Sequence, residues 1–328
     1  DATCDLVLNS RQGGAFWPMQ SEWWYQSVTG RNKTPAKGVV LKNHLHNAVA
    51  RIVIGLALVL PYRVRVGFVG WFMAKFVAPF AGWKARVRNN FAQILPDVPP
   101  AEVERIADSV CNNVGRTLIE IYSGEEFVGR IKETPLVGPG VAAFEAARAE
   151  GKPMVLATAH IGNYDVVRGK LSQEGMEIGA LYKPIRNKAF NRHYVDAISK
   201  IGAPVFAVGR AGVAGLVRHL KQGGSIGIVA DVANINAPLL SFFGHPAHTP
   251  VSAAEWAVKY DAVLLPIFGL REPDGLSFKI YVAEPIDHGE PAEMMQRYND
   301  VVEAIARENI GQWFWIHRRW KQLETGPA

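Results

Sequence analysis

Cysteine, charge and long apolar runs are all scarce in this chain of 328 residues. The two cysteines, Cys4 and Cys111, lie far apart and lack metal-type spacing. They exclude a disulfide framework, so we expect a reducing compartment. Charged residues make up only 20%, and the mean hydropathy of +0.02 is high for a soluble protein. Neither of the two apolar segments near the N-terminus is the uncharged run of roughly 20 residues that a membrane-spanning helix needs.

The charge that is present is mostly positive. A net charge of +6 and a pI near 9.3 indicate anionic partners, such as nucleic acid, anionic lipid headgroups or an acidic protein. The basic residues do not alternate with aromatic ones as in a nucleic-acid-binding module, so nucleic acid is not expected. Lipid headgroups are the favoured partner.

Composition divides the chain into three parts. Residues 1–38 form a polar, glycine- and tryptophan-rich tail, to which we assign no function. Residues 39–130 are predicted to be helical and membrane-associated, and residues 131–328 to form an α/β catalytic domain. An amphipathic helix is predicted from Pro100 to about residue 122, because its apolar residues recur every three or four positions.

The two apolar segments, residues 48–61 and 66–83, are predicted to lie in a bilayer interface. Pro61 ends the first, and Lys75 interrupts the second. Aromatic residues of the second segment are Trp71, Phe72, Phe76, Phe80 and Trp83. Basic residues on either side are Arg63, Arg65, Lys84, Arg86 and Arg88. Aromatic side chains flanked by cations suit an anionic membrane surface, although a buried helical hairpin remains the alternative.

From residue 154 onward, short β-type runs alternate with helical stretches. This pattern predicts an α/β fold, with a largely parallel sheet flanked by helices and a membrane-apposed helical segment before it. In such folds reactive residues collect at the carboxyl ends of the strands. His160 and Asp231 each follow a predicted strand, which is the expected place for a site.

Three other motifs are set aside. In "GGSIG" (223–227) a strand follows Ser225 rather than precedes it, which is the reverse of a serine-hydrolase elbow. A soluble esterase would therefore lack its nucleophile. "GPGVAA" (138–143) is interpreted as a helix start, and "HPAH" (245–248) as a loop rather than a metal site. No metal is expected.

The segment "HIGNYD" offers His160 and, five positions later, Asp165. If the helix begins near Gly162 or Asn163, Asp165 falls in its first turn and can fold back toward the imidazole. A carboxylate on one ring nitrogen would leave the other as a general base. A structural histidine is the alternative, because H-x4-D alone is a short pattern.

This segment resembles the H-x4-D/E motif of the lysophospholipid acyltransferase superfamily. Four further segments resemble its lipid A biosynthesis branch, the lauroyl and myristoyl acyltransferases. They are "LYKPIRNKAFNR" (181–192), "IVAD" (228–231), "FFGHPAHTP" (242–250) and "WFWIHRRWK" (313–321). The resemblance covers about residues 40–321. It departs at Asp165, where the lipid A enzymes often carry glutamate.

The resemblance implies roles for individual residues. His160 would be the general base and Asp165 its orienting partner. Substrate-binding residues would be Gly162, Asn163, Lys183, Arg186, Asn187, Asp231, Phe243, Gly244 and Thr249. Backbone N–H groups of the Gly162–Asn163 turn, or Arg186, would stabilise the oxyanion. No cofactor is implied, since acyl carrier protein or coenzyme A brings the acyl chain as co-substrate.

The expected activity is O-acylation of a membrane lipid at the cytoplasmic face of a bacterial inner membrane, by a monotopic or singly anchored protein. Two acceptors stay open. One is a lipid A precursor and the other a lyso-aminolipid, each acylated on a 3-hydroxyacyl chain. A catalytically silent lipid-binding or scaffold protein with the same fold is the alternative from another class.

Overall fold

The structure, a computed structural model, describes residues 37–185 and 187–320, with side chains from residue 47 onward. Arg186 and Cys4, both named above, lie outside the described residues. Cys111 is buried as a free thiol, and burial raises its pKa to about 12. The thiol therefore stays protonated.

Helices precede the sheet. They are α1 (Lys37–Val59), α2 (Tyr62–Phe72), a π-helical turn (Met73–Val77), α3 (Ala78–Phe80), α4 (Trp83–Ile94), α5 (Pro100–Tyr122) and α6 (Glu125–Ile131). The first ends just before Pro61, as predicted, because proline cannot continue a helix. The predicted amphipathic helix is α5, which begins at Pro100.

Strands and helices then alternate. The first half contains β1 (Leu136–Val137), α7 (Val141–Ala149), β2 (Met154–Thr158), α8 (Asp165–Gln173), β3 (Ile178–Tyr182), α9 (Lys188–Ile201) and β4 (Val205–Ala207). The second half contains α10 (Arg210–Lys221), β5 (Ser225–Val229), β6 (Leu239–Phe242), β7 (His245–His248), α11 (Ser252–Lys259), β8 (Val263–Arg271), β9 (Phe278–Val282) and α12 (Pro291–Glu308).

Seven strands form one sheet in the order β1-β9-β8-β2-β5-β3-β4. All neighbouring pairs are parallel except β8 and β9, which confirms the largely parallel α/β fold. Strand β2 is buried at every position, as expected for the centre of a sheet covered on both faces. Val155 and Ala157 pack into one core, and Met154 and Leu156 into the other.

Two of the set-aside motifs behave as expected and one does not. Ser225 begins β5, and a helix begins at Val141, within "GPGVAA". The prediction of a loop at "HPAH" is wrong. These residues form β7, which pairs with β6 in an antiparallel hairpin. Its two turn residues, Phe243 and Gly244, both have positive φ (54° and 73°), as a two-residue hairpin requires.

The helical front packs onto the same cores as the sheet. Val66, Ala78, Val87 and Phe91 are buried there beside strand residues. Among the described helices, none alone is long and apolar enough to cross a bilayer. The pair Tyr62–Phe80 and Trp83–Ile94, bent by 79°, passes that test only when taken together.

Candidate active site

Two neighbouring strands bring His160 and Asp231 together. Strands β2 and β5 pair in parallel with Thr158 opposite Val229, so each site residue lies two positions beyond that pair. The imidazole Nδ1 of His160 is 2.7 Å from Asp231 Oδ1, and the His160 backbone N–H donates to Oδ2 at 2.9 Å. The indole Nε1–H of Trp313 donates to the same Oδ2 at 3.0 Å. The carboxylate is thus bound by three donors.

The Asp231 carboxylate is held in its ionised form. Its residue is only 1% exposed. Burial would raise its pKa, but the charge and hydrogen bonds of His160, together with His317, outweigh burial and hold the pKa well below its usual range. An ionised carboxylate only accepts hydrogen bonds, so Nδ1 of His160 carries a proton. In the neutral form of the ring, Nε2 then has the lone pair that a general base needs.

A second histidine contacts the same nitrogen. His317 Nε2 lies 3.1 Å from His160 Nδ1. Burial, and then the charge of His160, lowers the pKa of His317 to about 3, so it is neutral at physiological pH. Its Nε2 is therefore a second acceptor for the Nδ1 proton. The rings of Tyr164 and Phe314 pack against His160 at 5.5 and 5.9 Å. His160 is held by contacts on several sides.

The turn after His160 is bonded to the protein rather than open to a substrate. Gly162 has φ +54°, and a Cβ there would lie 2.1 Å from the carbonyl oxygen of Gly269. Its N–H donates to Gln312 O at 3.3 Å, and the Asn163 N–H donates to Gly269 O at 2.9 Å. Asn163 Nδ2 donates to buried Glu120. These two N–H groups, expected to hold an oxyanion, already have partners inside the fold.

Asp165 is placed differently from the expectation. It begins α8, and its Oδ1 accepts from Arg168 Nη2 at 2.7 Å and Nε at 3.2 Å. Both residues are buried. Within the described parts of the chain, no hydrogen bond joins Asp165 to His160. The expected contact is made by Asp231 instead, because β5 lies beside β2 in the sheet. A catalytic role for Asp165 stays a prediction.

The segment after β3 is described except for Arg186. Lys183 is exposed at the end of that strand. Asn187 is the N-cap of α9, and its side chain accepts from the N–H groups of Ala189 and Phe190. In the structure Asn187 thus caps the start of α9. Substrate binding by Asn187 and by Lys183 stays a prediction.

The remaining predicted residues lie behind the site. Phe243 is 3% exposed and packs on Trp313, with ring centroids 6.2 Å apart. Thr249 is fully buried, and its hydroxyl accepts from Arg319 Nη2 at 2.7 Å and Asn299 Nδ2 at 3.1 Å. Gly244 completes the hairpin turn. These contacts anchor the segment "WFWIHRRW", which carries His317, rather than form the wall around His160.

Sequence reasoning missed two residues of the site, His317 and Trp313. Both belong to a quoted motif, and a histidine in the middle of a tryptophan-rich segment was the available signal. In the described chain, His160, Asp231 and His317 also form a set whose ligand atoms all lie within 4.8 Å of one another. These three residues are therefore the ones able to hold a metal ion, and the hydrogen bonds above give each of them a role without one.

Comparison with known proteins identifies the family of the chain. Residues 40–322 match the family model "Bacterial lipid A biosynthesis acyltransferase". A phosphatidylinositol mannoside acyltransferase of Mycobacterium tuberculosis (strain ATCC 25618 / H37Rv) is 25% identical over 247 residues, 73% of this chain and 78% of the relative. A lipid A biosynthesis acyltransferase of Haemophilus influenzae is 23% identical over 245 residues, 72% and 77% of the two chains.

The family match spans most of the chain, including every strand of the sheet and both histidines of the site. It also includes Asp231, whose carboxylate accepts from His160. The chain therefore belongs to the bacterial lipid A biosynthesis acyltransferase family, and it is an acyltransferase.

Proposed function

We propose that the protein moves a fatty acyl chain from a thioester donor to a hydroxyl group of a membrane lipid, with His160 as general base. One observation carries the proposal. The 2.7 Å bond between His160 Nδ1 and ionised Asp231 fixes the tautomer whose Nε2 can take a proton. The pairing of His160 with Asp231 involves neither Asp165 nor a serine.

A single base is sufficient for both proton transfers of the reaction. His160 Nε2 takes the hydroxyl proton as the acceptor oxygen attacks the thioester carbonyl, and a C–O bond forms. The tetrahedral intermediate then collapses with cleavage of the C–S bond. The imidazolium returns its proton to the leaving thiolate, so the products are an ester and a free thiol. General-base catalysis of this kind contributes about 10²- to 10⁴-fold.

Membrane contact is proposed through five exposed aromatic residues that lie along α2, the π-helical turn and α3. This aromatic patch consists of Phe68, Trp71, Phe72, Phe76 and Phe80. The prediction that Trp83 belongs to the membrane-facing group is wrong, because its side chain is buried in the protein core. Phe80 is 92% exposed, and Trp71 and Phe76 pack edge to face at 5.3 Å. Aromatic side chains exposed together are typical of a bilayer interface. We propose that this patch attaches the protein to an anionic membrane surface, at the cytoplasmic face of a bacterial inner membrane.

Some of the basic residues predicted to flank the aromatic group instead bond to other parts of the protein. Arg65 is 4% exposed and donates to Ser123 Oγ at 3.1 Å and to Leu60 O at 3.1 Å. Lys84 pairs with Asp108, and Arg88 pairs with Glu104. The expectation that all five cations face the membrane is wrong for Arg65, because its buried guanidinium bonds to Leu60, Ser123 and Glu126. The patch itself carries the proposed attachment.

The acceptor is proposed to be a lipid with a free hydroxyl on a 3-hydroxyacyl chain, either a lyso-aminolipid or a lipid A precursor. The test offers purified protein both acceptors in vesicles, with one acyl group on acyl carrier protein or on coenzyme A. Mass spectrometry follows the acceptors. A gain of one acyl chain on a hydroxyacyl lipid is the expected result. Release of free fatty acid without any acylated lipid would contradict the proposal.

A further inference from the structure

A buried ion pair lies against the turn that follows His160. Glu120 of α5 is fully buried, and the side chain of Arg271, at the end of β8, is 6% exposed. The guanidinium donates through Nη1 to Glu120 Oε1 and through Nη2 to Oε2, the latter at 2.8 Å. The pair is therefore bidentate. In this geometry an arginine fixes the orientation of the carboxylate as well as neutralising its charge.

The ion pair is connected to the turn by two routes. On the first, Glu120 Oε2 accepts from Asn163 Nδ2 at 2.8 Å. On the second, Arg271 Nε donates to Asn113 Oδ1 at 2.8 Å, and Asn113 Nδ2 donates to Gly162 O at 2.8 Å. The carboxylate thus holds the side chain of one turn residue, while the guanidinium holds the backbone of the other through an amide.

The turn itself has a fixed place in the fold. The backbone N–H and C=O groups of Gly162 and Asn163, and both polar atoms of the Asn163 side chain, all have partners in the protein. His160 lies only two positions before Gly162. The turn therefore fixes the backbone that follows His160, while Asp231 binds its imidazole and its N–H.

Fold stability alone does not account for a buried ion pair at this position. Removing two charges from water offsets much of their attraction, and apolar side chains of similar volume are often at least as stabilising. A bidentate pair adds a defined geometry. Here that geometry sets where the amides of Asn113 and Asn163 lie, and both amides bind the turn.

We propose that Glu120 and Arg271 are positioning residues for His160. The pair holds the Gly162–Asn163 turn, and the turn keeps the imidazole beside Asp231. In the described chain no hydrogen bond joins either residue of the pair to His160, so they act through the turn. This inference rests on the proposed role of His160 as general base. A displacement of about 1 Å can lower a rate about 10²-fold, so the effect belongs in kcat.

Two variants separate positioning from stability. Arg271→Lys keeps the positive charge but loses the bidentate geometry. The double variant Glu120→Met, Arg271→Leu replaces the pair by apolar side chains of similar size. Each should lower kcat about 10- to 100-fold and leave KM for the acceptor and for the thioester unchanged, with thermal unfolding confirming the fold. Unaltered kcat in either folded variant would overturn the inference.

A resonance of His160 gives a measurement that needs no turnover. The signal is that of the Cε1–H group in protein carrying ¹³C-labelled histidine, assigned by its loss in His160→Ala. It should shift or broaden in both variants, because the imidazole leaves its place beside Asp231. An unchanged resonance would overturn the inference even if kcat falls. If the unaltered protein acylates no lipid but the resonance moves in the variants, the proposed function fails while the positioning stands.

Arg65→Lys is the matched control. Arg65 is also buried, at 4% exposure, but it bonds to Glu126, Ser123 and Leu60 rather than to the turn. The substitution should lower thermal stability and leave both kcat and the His160 resonance unchanged. Equal losses of kcat in Arg65→Lys and Arg271→Lys would show that the replacement of any buried arginine lowers activity, and would overturn the inference.

Discussion

At the scale of single residues, the chemistry depends on which nitrogen of His160 carries the proton. Three groups decide this: Asp231 accepts from Nδ1, Trp313 holds the other carboxylate oxygen, and His317 contacts Nδ1 from a second direction. The arrangement orients a base and leaves Nε2 for the substrate. It also requires His317 to stay neutral inside the protein, which has a measurable consequence for stability.

His317 should make the protein less stable in mild acid. Its pKa is about 3 in the folded state, against about 6.5 when unfolded. Between these values the unfolded chain binds the additional proton, so the free energy of unfolding falls as pH falls, by about 1.4 kcal/mol per pH unit. Asp231, whose folded pKa is depressed, adds its stability above its unfolded pKa and loses it only in stronger acid.

Chemical denaturation between pH 6 and 4.5 checks this expectation. His317→Gln cannot titrate, so its unfolding free energy should depend on pH less steeply than that of the unaltered protein, by about 1.4 kcal/mol per unit. Identical slopes for the two proteins would show that His317 titrates normally in the fold.

Asp165 is expected to act on stability rather than on the base. Asp165→Asn leaves the buried guanidinium of Arg168 without its carboxylate, which should lower the free energy of unfolding by about 3 kcal/mol. The double variant Asp165→Asn with Arg168→Met should recover part of that loss. At temperatures where the Asp165→Asn protein is folded, the pH dependence of its acyl transfer should match that of the unaltered protein. A stable Asp165→Asn protein with a shifted pH–rate profile would make Asp165 a partner of His160 after all.

At the scale of elements, helices α2 to α4 both complete the protein core and expose an aromatic surface. The buried side of α2 and α4 completes the protein core, with Val66, Val87 and Phe91 fully or almost fully buried. The aromatic patch is exposed on α2, the π-helical turn and α3. Removing residues 1–83 would therefore remove core side chains together with the patch. Surface substitutions are the sharper probe of membrane contact.

The double variant Phe76→Ser, Phe80→Ser should bind anionic vesicles at least about tenfold more weakly, because burying one such side chain contributes about 1.5–3 kcal/mol. Co-sedimentation with vesicles measures the effect, and thermal unfolding checks the fold. Val258→Ser, an exposed apolar residue of α11, is the control and should bind normally. Unchanged binding of the double variant would rule out the patch as the contact.

At the scale of the whole molecule, local patterns predicted the elements better than the contacts between them. The apolar runs from residue 154 onward correctly predict six strands of the main sheet, and Pro61 correctly predicts the end of α1. The partner of His160 could not be read locally, because Asp231 lies 71 positions away and becomes adjacent only through the pairing of β2 with β5. Sequence proximity favoured Asp165 for the same reason.

Buried cations and the hairpin were the other difficulties. Arg65 looks like a surface residue in a basic flank, yet Ser123, Leu60 and Glu126 together compensate its burial. In "HPAH", Pro246 argues against a helix, but it is tolerated in β7 because each strand of a two-stranded hairpin has an unpaired edge. Both outcomes depend on partners distant in sequence.

The central claim is that His160 and Asp231 act together as one base for lipid acylation, and a double-mutant cycle tests it most directly. Acyl transfer to a hydroxyacyl lipid is measured for His160→Ala, Asp231→Asn and the double variant, with unfolding curves confirming that each is folded. His160→Ala should lose at least about 10²-fold in kcat, and the double variant should be no slower than that single variant. Near-normal turnover by folded His160→Ala, or losses that multiply in the double variant, would contradict the account.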